Sequence, residues 1–300
     1  QPAGVTNPGP GKFIVEDDGE TYFGTSIQRP AATETMGRIA FAPYNEFGDY
    51  LYGYLYYPKE KGKEIKAGTI KLPAVIYLHE FDYSKGFSSQ NYDHEIAPFF
   101  QELVSNGYIV FAYDMIGFGT RLEEGKWFYQ RHPQWSKMGK MVTDLQSAIT
   151  ALWNLNYIDS TKISVVGYSL GATVGIYTSA LDKRIANTAS VCGFMPLRTA
   201  GAKGNEGLKA WTHLYGLFPK LGFFSANENR IPFDFYEVLS CIAPKPLLLI
   251  APALDKEITV EQMEKIKARA GKVYKLYGNS EQIQMFSPLD YNRFTEAMQA

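Results

Sequence analysis

The stretch Ile163-Ser-Val-Val-Gly-Tyr-Ser-Leu-Gly171 decides the fold of this chain. A β-favouring run leads into Gly-x-Ser-x-Gly, and small and apolar residues typical of a helix follow. This order of strand, sharp turn and helix indicates a nucleophile elbow, in which the flanking glycines avoid collisions and the serine hydroxyl stands above a sheet. We therefore predict that Ser169 is a nucleophile. The alternative is a small-residue turn that only tightens the packing of strand and helix.

A nucleophilic serine also needs a base for its proton and a carboxylate that orients the base. In the usual chain order of this elbow, the acid follows the next-but-one strand and the histidine follows the last strand. Residues 246–251 predict a buried parallel strand, and Asp255 follows at its C-terminal end. A helix then begins at Thr259, with Gln262 completing a capping box. Asp255 is the predicted acid, with a loop-capping aspartate as the alternative.

The expected histidine is missing from the end of the chain. The last apparent strand covers residues 272–277, and no histidine follows it. The whole chain contains only His79, His94, His132 and His213. Either one of these serves from an unusual place, or the site is not a functioning triad.

Each histidine is weighed by its position along the chain. His213 lies in the long segment after the sixth predicted strand, which leaves the sheet at the edge of Ser169, so it ranks first as base. A cap histidine bonded to backbone is the alternative. His79 ranks second, although a histidine beside an oxyanion loop is usually structural. His132 falls near the predicted mouth, and His94 is expected to be a surface residue.

Strands alternate with helices over most of the chain, which predicts an α/β fold with a mostly parallel sheet, helices on both faces and a site at the strand C-terminal ends. Residues 1–35 are expected to form an extended N-terminal arm, and residues 36–300 the catalytic domain. A cap insertion is predicted at about residues 197–243, after the sixth strand at 185–192. The apolar stripe of residues 138–155 indicates a core helix.

Composition narrows the possible functions. The chain has 300 residues, 45% hydrophobic and 20% charged, with a net charge of -1 and no long apolar run. These values give no argument for a nucleic-acid partner or a membrane span. Cys192 and Cys241 are expected to be buried free thiols, and no metal-ligand spacing or phosphate-binding glycine loop is present, so we predict neither metal nor cofactor. The polar start at Gln1 predicts an exported, secreted or periplasmic protein, although a chain cut there for another reason would look identical.

The chain resembles the α/β-hydrolase superfamily, and within it the dienelactone-hydrolase-like and acetyl-xylan-esterase-like secreted bacterial carbohydrate esterases. The matching pieces span about residues 70–260 and are residues 79–84, 114–121, 135–140, 167–171 and 251–255. The resemblance implies ester hydrolysis, often on plant polysaccharides, with Ser169 as nucleophile and Asp255 as acid. It departs from the family pattern at the missing late histidine. For the oxyanion hole we predict the amide of Leu170 and one from Glu80 or Phe81.

The substrate is predicted from the residues around the mouth. Arginines follow two strands at the edge of Ser169, and tryptophans fall in the adjoining loops. Aromatic faces suit sugar rings, and guanidinium groups suit carboxylates. We expect a carbohydrate ester, either an acetyl ester or the methyl ester of a uronate as in pectin. The predicted substrate-binding residues are Arg121, Arg198, Trp135, Trp211 and His79.

Structural roles are the alternative for each of these side chains, with the aromatics packing a cap and the arginines paired to Asp114 or Glu123. Two functions of different class remain open. One is a serine carbohydrate esterase. The other is a hydrolase-fold protein that binds a glycan or a partner without turnover because its base is gone.

Overall fold

The computed structural model describes residues 13–16, 28–82, 85–89, 95–198 and 207–300. Within these residues nine strands form one sheet in the order β1-β2-β3-β5-β4-β6-β7-β8-β9. The strands are β1 (Phe13–Glu16), β2 (Met36–Pro43), β3 (Gly53–Pro58), β4 (Leu72–Leu78), β5 (Ile109–Tyr113), β6 (Ile158–Tyr168), β7 (Asn187–Val191), β8 (Leu247–Ile250) and β9 (Ile283–Phe286). The first three strands pair antiparallel, and β4 to β9 are parallel to one another.

Helices join the parallel strands, as the sequence predicts. They are α1 (Gly62–Ala67), α2 (Ala97–Ser105), α3 (Leu122–Lys126), α4 (Phe128–Arg131), α5 (Lys137–Trp153), α6 (Leu170–Leu181), α7 (Gly207–Lys209), α8 (Phe235–Ser240), α9 (Val260–Leu276) and α10 (Glu296–Gln299). Successive side chains of a strand point to opposite faces of the sheet. In β4, Ile76 packs in the cluster that contains α5 residues, whereas Tyr77 packs in the cluster that contains α2 residues. Both faces of the sheet are therefore covered, which confirms the predicted fold class.

The prediction for the last strand was wrong. Residues 272–276 are the end of α9, whose buried residues Met263, Ile266, Ala270 and Tyr274 recur every three or four positions. The predicted capping box of Thr259 and Gln262 does begin this helix. The alternation of apolar and polar residues at 272–277 is typical of a strand, but residues 272–276 end α9. The last strand is β9. The loop after the last strand therefore begins at residue 287.

The N-terminal arm is more than an extended segment. Its residues 13–16 form β1, which pairs antiparallel with β2, while residues 1–12 and 17–27 lie outside the described part of the chain. Where the arm meets the domain, Arg29 donates to the buried carboxylate of Asp114 at 2.6 Å. This ion pair attaches the arm to the end of β5.

The cap lies between β7 and β8, and its described residues form short helical turns that include α7 and α8. Residues 199–206 of the predicted insertion lie outside the described part. Among the described helices, none combines the length and the apolar character that crossing a membrane requires.

Candidate active site

Ser169 stands between the end of β6 and the start of α6 with φ 51° and ψ -115°. A non-glycine residue rarely adopts positive φ, because its Cβ crowds the backbone. Two backbone hydrogen bonds hold the residue in place. Its N–H donates to the Val191 carbonyl at 2.8 Å, and its carbonyl accepts from the Thr173 N–H at 3.1 Å. The predicted strand, sharp turn and helix are all present.

The flanking glycines are required by close approach of the backbone. A Cβ at Gly167 would lie 2.4 Å from the Ala172 nitrogen, and one at Gly171 would lie 2.2 Å from the Leu78 carbonyl oxygen. Both distances are far shorter than any normal contact, and the atoms met belong to backbone that cannot move aside. The glycines therefore let the end of β4 and the start of α6 meet beside Ser169.

Ser169 opens into a cavity of about 250 Å³ at the C-terminal ends of the parallel strands. Leu170 contributes to its wall beside the serine, and Phe81 contributes from the loop after β4. The cap adds Trp211 and Tyr215. Loops after β8 and β9 add two polar groups, Asp255 and Asn292, with the exposed Glu257 at the edge.

Asp255 is held in a defined orientation at this cavity. Its Oδ1 accepts from the Glu257 N–H at 2.8 Å, and its Oδ2 accepts from the Asn292 side-chain amide at 3.3 Å. Burial raises the pKa of Asp255 above its ordinary value, and these donors, together with the Ile258 N–H, act in the opposite direction. Ser169 and Asp255 therefore share one cavity, as the sequence predicts.

Asn292 is the site residue that sequence analysis missed. It follows the last strand, where the usual chain order places a histidine. Its side chain contacts Asp255, and its backbone carbonyl accepts from the Tyr168 hydroxyl at 3.1 Å, next to the nucleophile. An amide nitrogen carries no lone pair that can take a proton at neutral pH. Locating β9 at residues 283–286 would have pointed to this position.

The structure does not bring His213 to Ser169. His213 is exposed, and its Nδ1 lies 2.7 Å from the Thr212 hydroxyl. The reason is helical geometry, since Ala210–Leu214 form one turn that continues to Tyr215. Trp211 and Tyr215, four residues apart, share the face that lines the cavity, and His213 lies midway between them on the opposite face.

His79 has no access to a substrate, contrary to the prediction. Its side chain is fully buried, its Nδ1–H donates to the Glu80 carbonyl at 2.6 Å, and its Nε2 accepts from the Met115 N–H at 3.0 Å. Burial lowers the pKa of His79 to about 4. A neutral ring with both nitrogens occupied cannot act as a base. It instead fixes the loop that carries Glu80 and Phe81.

Of the other two histidines, only His132 lies in the described part of the chain. His132 packs its ring against Phe47 and Phe128 and does not line it. His94 lies outside the described residues.

The prediction of Arg121 as a substrate-binding residue was wrong. Arg121 is buried, and its guanidinium binds Glu124 at 2.7 and 2.8 Å and Asp144 at 2.8 Å. It also donates to the backbone carbonyl of Asp114. The sequence offered the carboxylates of Asp114 and Glu123 as partners, whereas the structure pairs Arg121 with Glu124 and Asp144. The role of Arg121 is structural.

Arg198 is likewise engaged away from the cavity. It donates to the Ile231 carbonyl and the Tyr236 hydroxyl, both at 2.9 Å, and to the Glu237 carboxylate at 3.2 Å, which ties together the cap. Trp135 is exposed and packs edge-on against Phe47, so it is not part of the cavity wall either.

The remaining predicted residues lie in or beside the cavity. Leu170 and Phe81 line it, and Trp211 lines it while stacking on Phe218. Glu80 lies directly before Phe81 in the loop that His79 fixes.

The two cysteines are free but differ in exposure. Cys192 is buried and lines the cavity, and its burial raises the pKa of its thiol well above the ordinary range. Cys241 was predicted to be buried and is exposed, because it follows the last turn of α8 on the outer side. In the described part of the chain, no group of three or more metal-ligating side chains is gathered at one place.

The fold and the elbow define the class of protein. The model of the Alpha/beta hydrolase family matches residues 75–269, so the chain belongs to this family. The curated protein "Putative hydrolase YtaP" of Bacillus subtilis (strain 168) is 28% identical over 211 residues, which are 67% of each chain.

Solved structures with the same fold include two glucuronoyl esterases. The glucuronoyl esterase from Solibacter usitatus has a TM-score of 0.67 at 16% identity, and the match covers 98% of this chain and 85% of that one. The CE15 glucuronoyl esterase from Teredinibacter turnerae T7901 has a TM-score of 0.66 at 17% identity, and the match covers 97% and 77%. Similarity at this level of identity shows a shared fold.

Proposed function

We propose that this protein is a carboxylic-ester hydrolase that acts on a carbohydrate ester and forms an acyl-enzyme on Ser169. The observation that carries the proposal is the positive φ of Ser169 at the start of α6, in one cavity with Asp255. A strained backbone of this kind costs on the order of 1–3 kcal/mol and clusters at active sites. The names of the esterases with the same fold support the same reaction.

The geometry supports the usual roles of a nucleophile and an oxyanion hole in acyl transfer. The Ser169 hydroxyl attacks the ester carbonyl carbon, and the oxygen of the carbonyl gains negative charge. The twelve-residue helix α6 directs its free N–H groups, starting with that of Leu170, toward this oxygen. A second amide comes from Glu80 or Phe81 in the loop fixed by His79. Release of the alcohol leaves the acyl group on Ser169, and water then hydrolyses it.

The composition of the cavity wall supports an uncharged sugar ester. Trp211 and Tyr215 offer aromatic faces for a sugar ring. Asp255 and Glu257 are acidic, and among the described residues that line the cavity none is an arginine or a lysine. A free carboxylate would be repelled there, whereas an acetyl ester or an esterified uronate would not. The glucuronoyl esterases with the same fold favour the esterified uronate. Export of the chain stays a prediction.

Binding of a glycan without turnover is the second candidate. The presence of Asn292 where the usual histidine belongs favours it, because an amide cannot act as a base. This candidate predicts that a sugar ester binds and stays intact.

The test is hydrolysis of p-nitrophenyl acetate and of a methyl-esterified oligogalacturonide by Ser169→Ala and Ser164→Ala. Ser164 is a matched control on the same strand, where its hydroxyl accepts a hydrogen bond from the exposed Asn187 at 3.0 Å. We expect Ser169→Ala to lose nearly all turnover with an unchanged melting temperature, and Ser164→Ala to retain it. Equal turnover by both variants would refute the proposal, and binding without turnover by the wild type would establish the second candidate.

A further inference from the structure

The cavity offers few groups that can take a proton from Ser169. No histidine is among the described residues that line it. The Cys192 thiol stays protonated, since burial raises its pKa. The Asn292 amide cannot accept a proton, and Tyr215 carries a phenol. Among the described residues that line the cavity, two carboxylates remain, those of Asp255 and Glu257.

Of the two carboxylates, Asp255 has the properties of a base held in place. It is half-buried, and both its oxygens accept a hydrogen bond, whereas Glu257 is exposed. A carboxylate oxygen can accept two hydrogen bonds, and Oδ2 accepts one from the Asn292 amide at 3.3 Å. Partial burial makes the carboxylate more basic than an ordinary aspartate.

We propose that Asp255 is itself the general base for Ser169, acting through one water molecule, and that Asn292 is a positioning residue that holds its carboxylate. This inference rests on the proposed ester hydrolysis. An asparagine side chain is shorter than a histidine side chain, so a water molecule bridges the distance that an imidazole ring would span. In the usual triad a histidine lies between the serine and the carboxylate. Here a water molecule takes the place of the histidine, and the carboxylate is the base.

The proton of Ser169 moves to Asp255 and then to the leaving alcohol. The Ser169 oxygen forms a bond to the acyl carbon while its proton passes to the water, and the water passes one of its own protons to the Asp255 carboxylate. When the tetrahedral intermediate collapses, the bond to the alcohol oxygen breaks, and the protonated Asp255 returns the proton to that oxygen through the same water. A second water then hydrolyses the acyl-enzyme by the same route.

The titratable and charged groups near Asp255 come from its own loop, the end of β7, the cap and the loop after β9. Glu257 lies on its own loop, the Cys192 thiol comes from the end of β7, and Tyr215 comes from the cap. Asp290 lies on the loop after β9, which pairs with the Asp255 loop through a hydrogen bond from the Leu254 N–H to the Asp290 carbonyl. Arg293, next to Asn292, contacts the Tyr291 ring.

The first part of the experiment is the pH profile of kcat/KM for p-nitrophenyl acetate. The wild-type profile should rise through one ionisation above 3.8, the ordinary pKa of aspartate, because burial raises the pKa of Asp255. Asn292→Ala should move the rise to higher pH, because the amide donor lowers the pKa of Asp255. Asn292→His should move it to the histidine range and increase the rate above pH 7 by about tenfold or more. Unchanged profiles in both variants would overturn the role of Asn292.

The second part compares Asp255→Asn with His213→Ala. We expect Asp255→Asn to lower kcat/KM by about 100-fold or more, and His213→Ala to leave it within about twofold. Retention of activity by Asp255→Asn overturns the inference. A wild-type rise that disappears in His213→Ala also overturns it and restores the cap histidine as base. In both cases Ser169→Ala remains inactive, so failure of this inference is distinct from failure of the proposed function.

Discussion

His79 should make the free energy of unfolding depend on pH in a way that one substitution removes. Its pKa is about 4 in the folded protein, against 6.5 for an exposed histidine, because the ring is fully buried. Below pH 6.5 the unfolded chain therefore binds a proton that the folded chain does not. The stability associated with neutral His79 is present above 6.5 and is lost as the pH falls toward 4.

The magnitude follows from the same two values. One pKa unit of difference corresponds to about 1.4 kcal/mol, so the drop from 6.5 to about 4 corresponds to about 3 kcal/mol. Asp255 has the opposite effect, since its pKa is raised on folding and acid protonates it more readily in the folded state. The contribution of His79 must therefore be measured as a difference between two proteins.

The comparison is between the wild type and His79→Asn, which keeps a donor and an acceptor but does not titrate. Urea unfolding followed by circular dichroism at several pH values between 4 and 7 gives both free energies. We expect the variant to be less stable than the wild type at pH 7. The difference between their free energies of unfolding should shrink by about 3 kcal/mol toward pH 4. A difference in free energy of unfolding that stays constant over this pH range would refute the argument that His79 is buried as a neutral ring.

Three further predictions concern the elbow, the cavity and the ion cluster. Gly171→Ala should destabilise the protein by more than about 2 kcal/mol in urea unfolding, because its Cβ meets backbone at 2.2 Å, whereas Gly271→Ala inside α9 should stabilise it by up to about 1 kcal/mol. Trp211→Ala should raise KM for an oligosaccharide ester and leave p-nitrophenyl acetate unaffected, and Trp135→Ala should change neither; equal losses on both substrates would contradict a sugar-binding role. Arg121→Ala should cost about 3 kcal/mol of stability, the lower end of the range for breaking a buried ion pair, because Glu124 and Asp144 lose one cationic partner and keep only Lys140; an isolated change in KM would show that the structural assignment is wrong.

The local features of this site and the shared cavity of Ser169 and Asp255 could be predicted from sequence, whereas the partners of buried side chains could not. The elbow and the capping box at Thr259 are encoded within a few consecutive residues, and both are present. The partners of Arg121 lie three residues away and on α5, and no local pattern distinguishes a buried ion pair from a substrate contact. The side of the cap turn on which His213 lies depends on how Trp211 packs, which sequence position alone does not fix.

The missing base shows how one misplaced element changes the interpretation of a site. With residues 272–277 as the last strand, the histidine is expected directly after Tyr277. Helix α9 and strand β9 shift that loop toward the C-terminus, and Asn292 then lies beside Asp255. The sequence shows that no histidine lies late in the chain. Only the register of β9 against β8 shows that Asn292 lies in the loop where that histidine is expected.

The central claim is that Ser169 carries the acyl group, and mass spectrometry of the trapped protein tests it most directly. The protein is mixed rapidly with p-nitrophenyl acetate, quenched in acid and digested, and the peptides are sequenced. We predict an acetyl group on the Ser169 side chain in the wild type and a higher yield in Asp255→Asn if deacylation is slowed more than acylation. Ester turnover with no adduct on Ser169, or with the adduct on another residue, would contradict the claim.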